Sequence, residues 1–357
     1  RLTVGMILIL LCLQNSYGFV KPLQLGVNLD DNGAFVNIIN HTNRYDKVKG
    51  STKALEFDSL GWARNDFDLV LLDKRPVPEW LGTIDDPEKY RVDYSGRYKS
   101  SFTGSATVTV TGTSVTIDKI SYDSLANTTY FDIIVGGYPN ANHGFVVLNF
   151  RNTRRTPNDT LNSGITNLKV MRPGYELTTT KIFTDEFIAL CKSADFACYR
   201  FYNVQNIWDG EPAFPAKTTW DRRKTPMDAA QQSLAGLNGK RDGWCWEYIV
   251  GLSNILKKDI WVCIHMSCDS DYVANLGKLL KEKLDPSINI YVENSNEVWS
   301  PTQLTFGPYN QAQAKFNGIT FDENYARRSV ELSNWFSGIF GKEEINNRIR
   351  VILSGQQ

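Results

Sequence analysis

The sequence predicts an α/β protein: a (β/α)8 TIM-type barrel that stops after about its fifth strand, with an antiparallel β-sandwich inserted behind the first strand. Two changes of hydrophobic period and one feature of the strand ends lead to this. Between Trp62 and Arg172 apolar residues tend to recur at every second position, and beyond residue 180 helical and strand-like segments take turns. Most strands of the alternating part end in polar side chains, which is how a barrel delivers groups to its mouth. The expected units are a leader over 1–18, a barrel unit over 19–61 and 173–357, and a sandwich over 62–172.

The elements follow in chain order. The apolar run Met6–Leu13, then Ser16 and Gly18 at the two positions a signal peptidase reads, form a secretory leader. The run is too short to span a bilayer, and no later segment offers about 18 uninterrupted apolar residues. A secreted chain without a membrane partner is therefore expected. Because the chain opens on Arg1, either Met6 is the start or the sequence continues upstream. Residues 25–30 read as a short buried strand ending in Asn28 and Asp30.

The sandwich is expected from Ala106–Val110, a turn at Thr111-Gly112, Val115–Ile117, Phe131–Val135, Phe145–Phe150 and Leu168–Met171, with its exit at Pro173-Gly174. It either binds glycan or braces the other unit, and aromatics at its core positions favour bracing. Thr184 then caps a helix directing Phe187, Leu190 and Cys191 inward, followed by a strand over Phe196–Tyr202 and a long loop, Asn203–Gly243. Cys245, Ile249, Leu252 and Leu256 share one helical face ahead of strand Ile260–Ile264. Val273, Leu276, Leu280 and Leu284 share another, stopped by Pro286 before strand Ile288–Val292. A helix over Glu323–Phe340 and a strand over Ile349–Leu353 complete the pattern. No strand opens into GxGxxG or GxxxxGK, so a dinucleotide or P-loop fold is set aside and no cofactor is expected. Three further barrel strands would need on the order of 100 more residues, which places the expected C-terminus beyond Gln357.

With 42% hydrophobic and 22% charged residues the chain can build a large core. Lys plus Arg (39) balances Asp plus Glu (39), so no net field favours nucleic acid. Sequons at Asn40, Asn127 and Asn158 predict glycans on exposed surface. Five cysteines follow the leader: Cys191, Cys198, Cys245, Cys263 and Cys268. Cys191 with Cys198 and Cys263 with Cys268 are the short-loop pairings, among fifteen arrangements that the sequence leaves open. No CxxC pair occurs and only His265 lies nearby, so no metal is expected.

The most informative stretch is Ile290–Ser300, where a buried strand ends in two acids, two amides and a Trp. A carboxylic acid can protonate a departing glycosidic oxygen, an amide can hydrogen-bond a sugar hydroxyl, and an indole can stack on a pyranose. Period-2 alternation puts Tyr291, Glu293, Ser295 and Glu297 on one side, with Glu293 one layer beneath Glu297 as a buried support.

Asn296-Glu297 at the end of the fourth strand resembles the acid/base signature of the large retaining glycosidase superfamily. More closely, YVENSNEVW is similar to the YVEYSNEVWN stretch of a secreted family often labelled cellulose-binding or glycoside-hydrolase-like, whose barrel carries a sandwich after its first strand. The resemblance takes in Phe35–Ile39, Trp220–Pro226, Glu247–Asn254 and Asp269–Val273, most of the mature chain. It implies Glu297 as acid/base, Asn296 as a partner of a substrate hydroxyl, and a polysaccharide or oligosaccharide as substrate. The nucleophilic Glu that it implies on a seventh strand has no counterpart, so this length of chain is expected to be inactive by itself. A retaining mechanism sets the two carboxyls about 5–5.5 Å apart.

Arg200 is expected either to orient that nucleophile or to close the barrel end in an ion pair. His265, at the end of the third strand, either contacts substrate or is a satisfied structural group, and Asp30 has the same two readings. Of Trp208, Trp220, Trp244, Trp246 and Trp299, two are expected to stack on sugar and the others to pack the long loop. A glycoside hydrolase of β-linked glycans is the leading expectation. The alternatives are a non-catalytic carbohydrate-binding protein and, more distantly, an extracellular structural glycoprotein.

Overall fold

Five short parallel strands and two antiparallel sheets carry the β structure of the computed structural model, which describes residues 25–30, 33–42, 44–73, 93–137, 145–207, 212–231, 243–300 and 306–355. The parallel strands are β1 (Gly26–Asn28), β10 (Cys198–Arg200), β11 (Asp259–Ile264), β12 (Ile290–Asn294) and β13 (Ile349–Ile352), hydrogen-bonded in that order. A TIM-type barrel is not what they form. Among the described residues β1 and β13 are opposite edges of an open sheet, and neither pairs with the other. Polar strand ends suggested a barrel, but open parallel sheets also gather their polar groups at the carboxyl ends of the strands. That signal does not separate the two.

The helices are α1 (Asp185–Lys192), α2 (Trp246–Leu256), α3 (Ser270–Lys283), α4 (Phe306–Asn317) and α5 (Phe321–Phe340). Local chemistry fixes their starts: Thr184, Asp269 and Thr320 each accept a backbone N–H of the first turn, and Thr320 with Glu323 completes a capping box. Ile260, Val262, Ile264, Ile290 and Val292 meet Ile249 and Leu252 of α2, Leu276 and Leu280 of α3 and Phe336 of α5 in one buried cluster. Helices therefore cover one face of the sheet. Leu190, expected inward, is 65% exposed, because α1 buries only Phe187 and Cys191. Helix α4, lacking a strong apolar period, went unforeseen.

The antiparallel strands are β2 (Tyr45–Lys47), β3 (Phe67–Asp73), β4 (Gly96–Thr103), β5 (Ser105–Thr111), β6 (Val115–Asp123), β7 (Thr128–Val135), β8 (Phe145–Arg154) and β9 (Thr166–Val170). They pair as two four-stranded sheets, β2-β3-β8-β5 and β6-β7-β4-β9. Inward residues of both sheets fill a single core, where Phe150 stacks on Phe67 at 4.6 Å and meets Phe102 edge-on at 5.6 Å. Strand β2 joins this unit ahead of the Trp62 boundary.

The two units are stitched by backbone. Phe35 bridges Phe183, Asn37 bridges Met171, and Ala229 N–H donates to the Leu60 carbonyl at 2.8 Å. At this seam His41 accepts the Phe35 N–H through Nε2 at 3.3 Å and packs its ring 4.9 Å from Phe35. Both short-loop disulfides are absent, and all five cysteines are free. Cys191 and Cys268 belong to the helix-side core, whereas Cys198 borders the opposite face and Cys263 approaches Glu293. Of the sequons, Asn158 is exposed, but Asn127 donates Nδ2 to the Arg155 carbonyl at 2.7 Å.

Two tests follow from this packing. Phe150→Ala should cost about 3–5 kcal/mol in denaturant unfolding, and a loss under about 1 kcal/mol would mean the sheets do not share that core. Burial, with Arg172 second, holds the His41 imidazole down from 6.5 to about 3. The unfolded chain then binds the extra proton first, so stability should fall as pH drops below about 6.5, before carboxylates titrate. His41→Gln should flatten that slope between pH 6.5 and 5; an unchanged slope would reject this role.

Candidate functional site

Register places five residues in one row across the face opposite the main helix-side core: Asn28 beside Arg200, Arg200 beside Trp261, Trp261 beside Tyr291, Tyr291 beside Arg350. Within this row two adjacent rings are flanked by two cations, with Arg200 5.1 Å from the Trp261 ring, Trp261 6.4 Å from Tyr291, and Arg350 5.5 Å over Tyr291. Two residues further along β11 and β12, on the same face, Cys263 stands beside Glu293.

Glu293 is 2% exposed and its Oε2 collects the donors around it. Arg200 donates from Nε at 3.0 Å and from Nη2 at 2.5 Å, the Trp261 indole N–H donates at 2.8 Å, and the Cys263 thiol lies at 3.5 Å. Burial first, then the charge of Glu293, pushes the Cys263 thiol far above its ordinary range, so it stays protonated as a donor. Arg200 Nη2 also donates to Asn296 Oδ1 at 2.7 Å, which leaves the Asn296 amide nitrogen as the end available to a ligand. Beyond Arg200, where β10 stops, the Gln205 side chain continues the ladder, bonding the Cys263 N–H and carbonyl at 3.1 Å each.

Strand β12 ends at Asn294, so alternation does not carry through to Ser295 and Glu297. Both adopt left-handed backbone, φ 53° and 50°, which is uncommon outside glycine. Ser295 anchors the turn: its N–H donates to the Ile264 carbonyl at 2.7 Å, and its Oγ accepts the Met266 N–H at 2.8 Å. Glu297 emerges half-buried on the lip of an open cleft of about 690 Å³ that runs over β1, β10, β11 and β12. Asn28, Arg200, Trp261, Asn296 and Trp299 line the same cleft. Burial lifts the Tyr202 phenol above its ordinary range, and the charge of nearby Glu297 adds to the shift.

Of the sequence-derived candidates, Glu297, Asn296, Arg200, Trp299 and Glu293 thus meet in one place. His265 and Asp30 do not line this cleft: His265 is 8% exposed just past β11, and Asp30 is exposed beyond β1. Trp208 lies outside the described residues. Trp244 and Trp246 are buried in the helix-side core, and Trp220 packs edge-on against Tyr272 at 5.2 Å. Trp261 was missed as a cleft residue, although it stands out of phase with Ile260, Val262 and Ile264 and so belongs to the opposite face. Among the described residues no group of three His, Cys, Asp or Glu side chains could hold a metal. No protein family model, curated protein or solved structure matches the chain.

Arg200→Ala would strand a buried carboxylate, and we expect it to cost about 3–5 kcal/mol in equilibrium unfolding. Arg200→Lys should recover only part, since an ammonium cannot reproduce the paired Nε and Nη2 donation. Stability equal to the native chain in both variants would contradict the support role of this pair.

Proposed function

We propose that the protein works outside the cell on β-linked polysaccharide or oligosaccharide, with Glu297 as the acid that protonates the departing glycosidic oxygen. The observation that carries this reading is the convergence, in one cleft, of a half-buried carboxyl, an oriented amide and two indoles. Glycosidic cleavage needs a proton donor at the bridging oxygen, hydrogen-bond partners for ring hydroxyls and apolar surface for the sugar face. Glu297, Asn296, and Trp261 with Trp299 are suited to those tasks in turn. The resemblance of Tyr291–Trp299 to secreted glycoside-hydrolase-like proteins points the same way.

Glu293 is a positioning group in this scheme. Its Oε2 is committed to Arg200 and Trp261, and through Arg200 it sets the Asn296 amide rather than attacking a sugar carbon. That commitment favours a second reading, a carbohydrate-binding protein without chemistry. Hydrolysis takes two working carboxylates, and of the two Glu side chains lining the described cleft one is tied down.

The deciding experiment compares the mature protein with Glu297→Gln on β-glucan, xylan, mannan and aryl-glycoside substrates. Hydrolysis by the native protein, reduced at least about 100-fold in the variant, is expected for an essential proton donor. Absence of turnover in both, with both stabilised thermally by an oligosaccharide, would replace the enzyme by the binding protein.

A further inference from the structure

A second concavity of about 660 Å³ lies far from Glu297 in sequence and fold, where the outer face of sheet β6-β7-β4-β9 meets the segments around Thr178 and Met227. Its floor is a patterned surface. On adjacent strands Tyr130, Ser101 and Lys169 stand side by side in one row, and Thr128 and Thr103 are paired in the next. Period-2 alternation sends their neighbours Phe131, Phe102, Leu168 and Val170 into the sandwich core, so the floor residues face outward. Tyr130 is 38% exposed, a large ring beside the hydroxyls of Ser101, Thr103 and Thr128.

The charge around this groove is largely spent. Lys181 is paired with Asp185 at 2.7 Å, and Asp228 Oδ2 accepts both the N–H and the hydroxyl of Thr225 at 2.8 Å. Lys169, beside Ser101 at the edge strand of the floor, is a single exposed cation. What faces a ligand is a mixture of hydroxyls and amides with apolar surface, the exposed part of it supplied chiefly by the Tyr130 ring and Met227. That chemistry suits a neutral polyhydroxylated chain, which offers many weak donors and acceptors and an apolar ring face. An anionic ligand would need clustered unpaired cations, and a strand-like peptide would need a free sheet edge rather than a sheet face.

We propose that this groove is a second carbohydrate-binding site, taking a neutral oligosaccharide across Tyr130, Ser101 and Thr103. It goes beyond the Glu297 cleft and stands without it. Because the Thr178 segment leads into α1 while the floor belongs to the sandwich, a sugar held here touches both units and should stabilise their junction.

Calorimetric titration of the full chain with cellotetraose, xylotetraose and mannotetraose tests the site. Trp299→Ala, which disables the cleft, should leave groove binding intact. Tyr130→Ala should weaken that remaining binding about tenfold, the loss of one ring–sugar contact of about 1.4 kcal/mol. Thr103→Arg, which fills the floor, should abolish it. Tyr130 is solvent-exposed, so an unchanged melting midpoint in Tyr130→Ala shows that the fold survives and lets this variant decide even if Thr103→Arg misfolds. The proposal is overturned if the Trp299→Ala chain binds none of the three sugars, or if Tyr130→Ala binds them as tightly as its parent. Failure of the cleft reading looks different: Trp299→Ala would then change neither binding nor turnover.

Discussion

The candidate site depends on how a single buried carboxylate is neutralised. Glu293 sits at 2% exposure on the second-longest of the parallel strands, where an unpaired charge would cost several kcal/mol. Donors from β10 and β11 converge on it, so the charge that threatens the sheet also fastens three neighbouring strands on the face opposite the main helix-side core. The helix side is held by non-directional burial. The cleft side is held by directional bonds, and these are what give Asn296 and Trp261 defined orientations.

Much of the architecture follows from periodicity that can be read directly. Ile260, Val262 and Ile264 alternate, Val273, Leu276 and Leu280 recur at helical spacing, and both patterns end where caps or prolines act. Closure was not legible in the same way. Whether a parallel sheet closes depends on what its first and last strands pair with, and a local pattern of apolar residues carries no information about an edge. Helix α4 escaped because its buried residues include Asn310 and Gln313 beside Phe306 and Tyr309, which blurs the apolar stripe.

The site shows the same division. Glu293, Asn296, Glu297 and Trp299 were found together because they are neighbours in sequence around a strand end. Arg200 was reachable from its place at the end of another strand. Trp261 lay hidden inside an apolar run, and Gln205 lay in a long loop with no period. Trp261 enters through register between strands and Gln205 through side-chain bonds to the Cys263 backbone, relations that sequence spacing does not express. His265 was drawn in by its location after a strand, yet it is 8% exposed and does not line the cleft.

The left-handed turn at Ser295 and Glu297 has a consequence for how the lip of the cleft tolerates change. Each non-glycine residue in that conformation carries about 1–2 kcal/mol of backbone cost. Ser295 offsets part of its own through two hydrogen bonds, while Glu297 has the weaker anchorage of one backbone bond from Ser300. Glycine at position 297 would relax the main chain and strengthen the fold while deleting the carboxyl, so selection for thermal robustness and selection for an acid at the lip pull against each other at this one position. A chain without need of the proposed acid would be free to carry glycine or asparagine there.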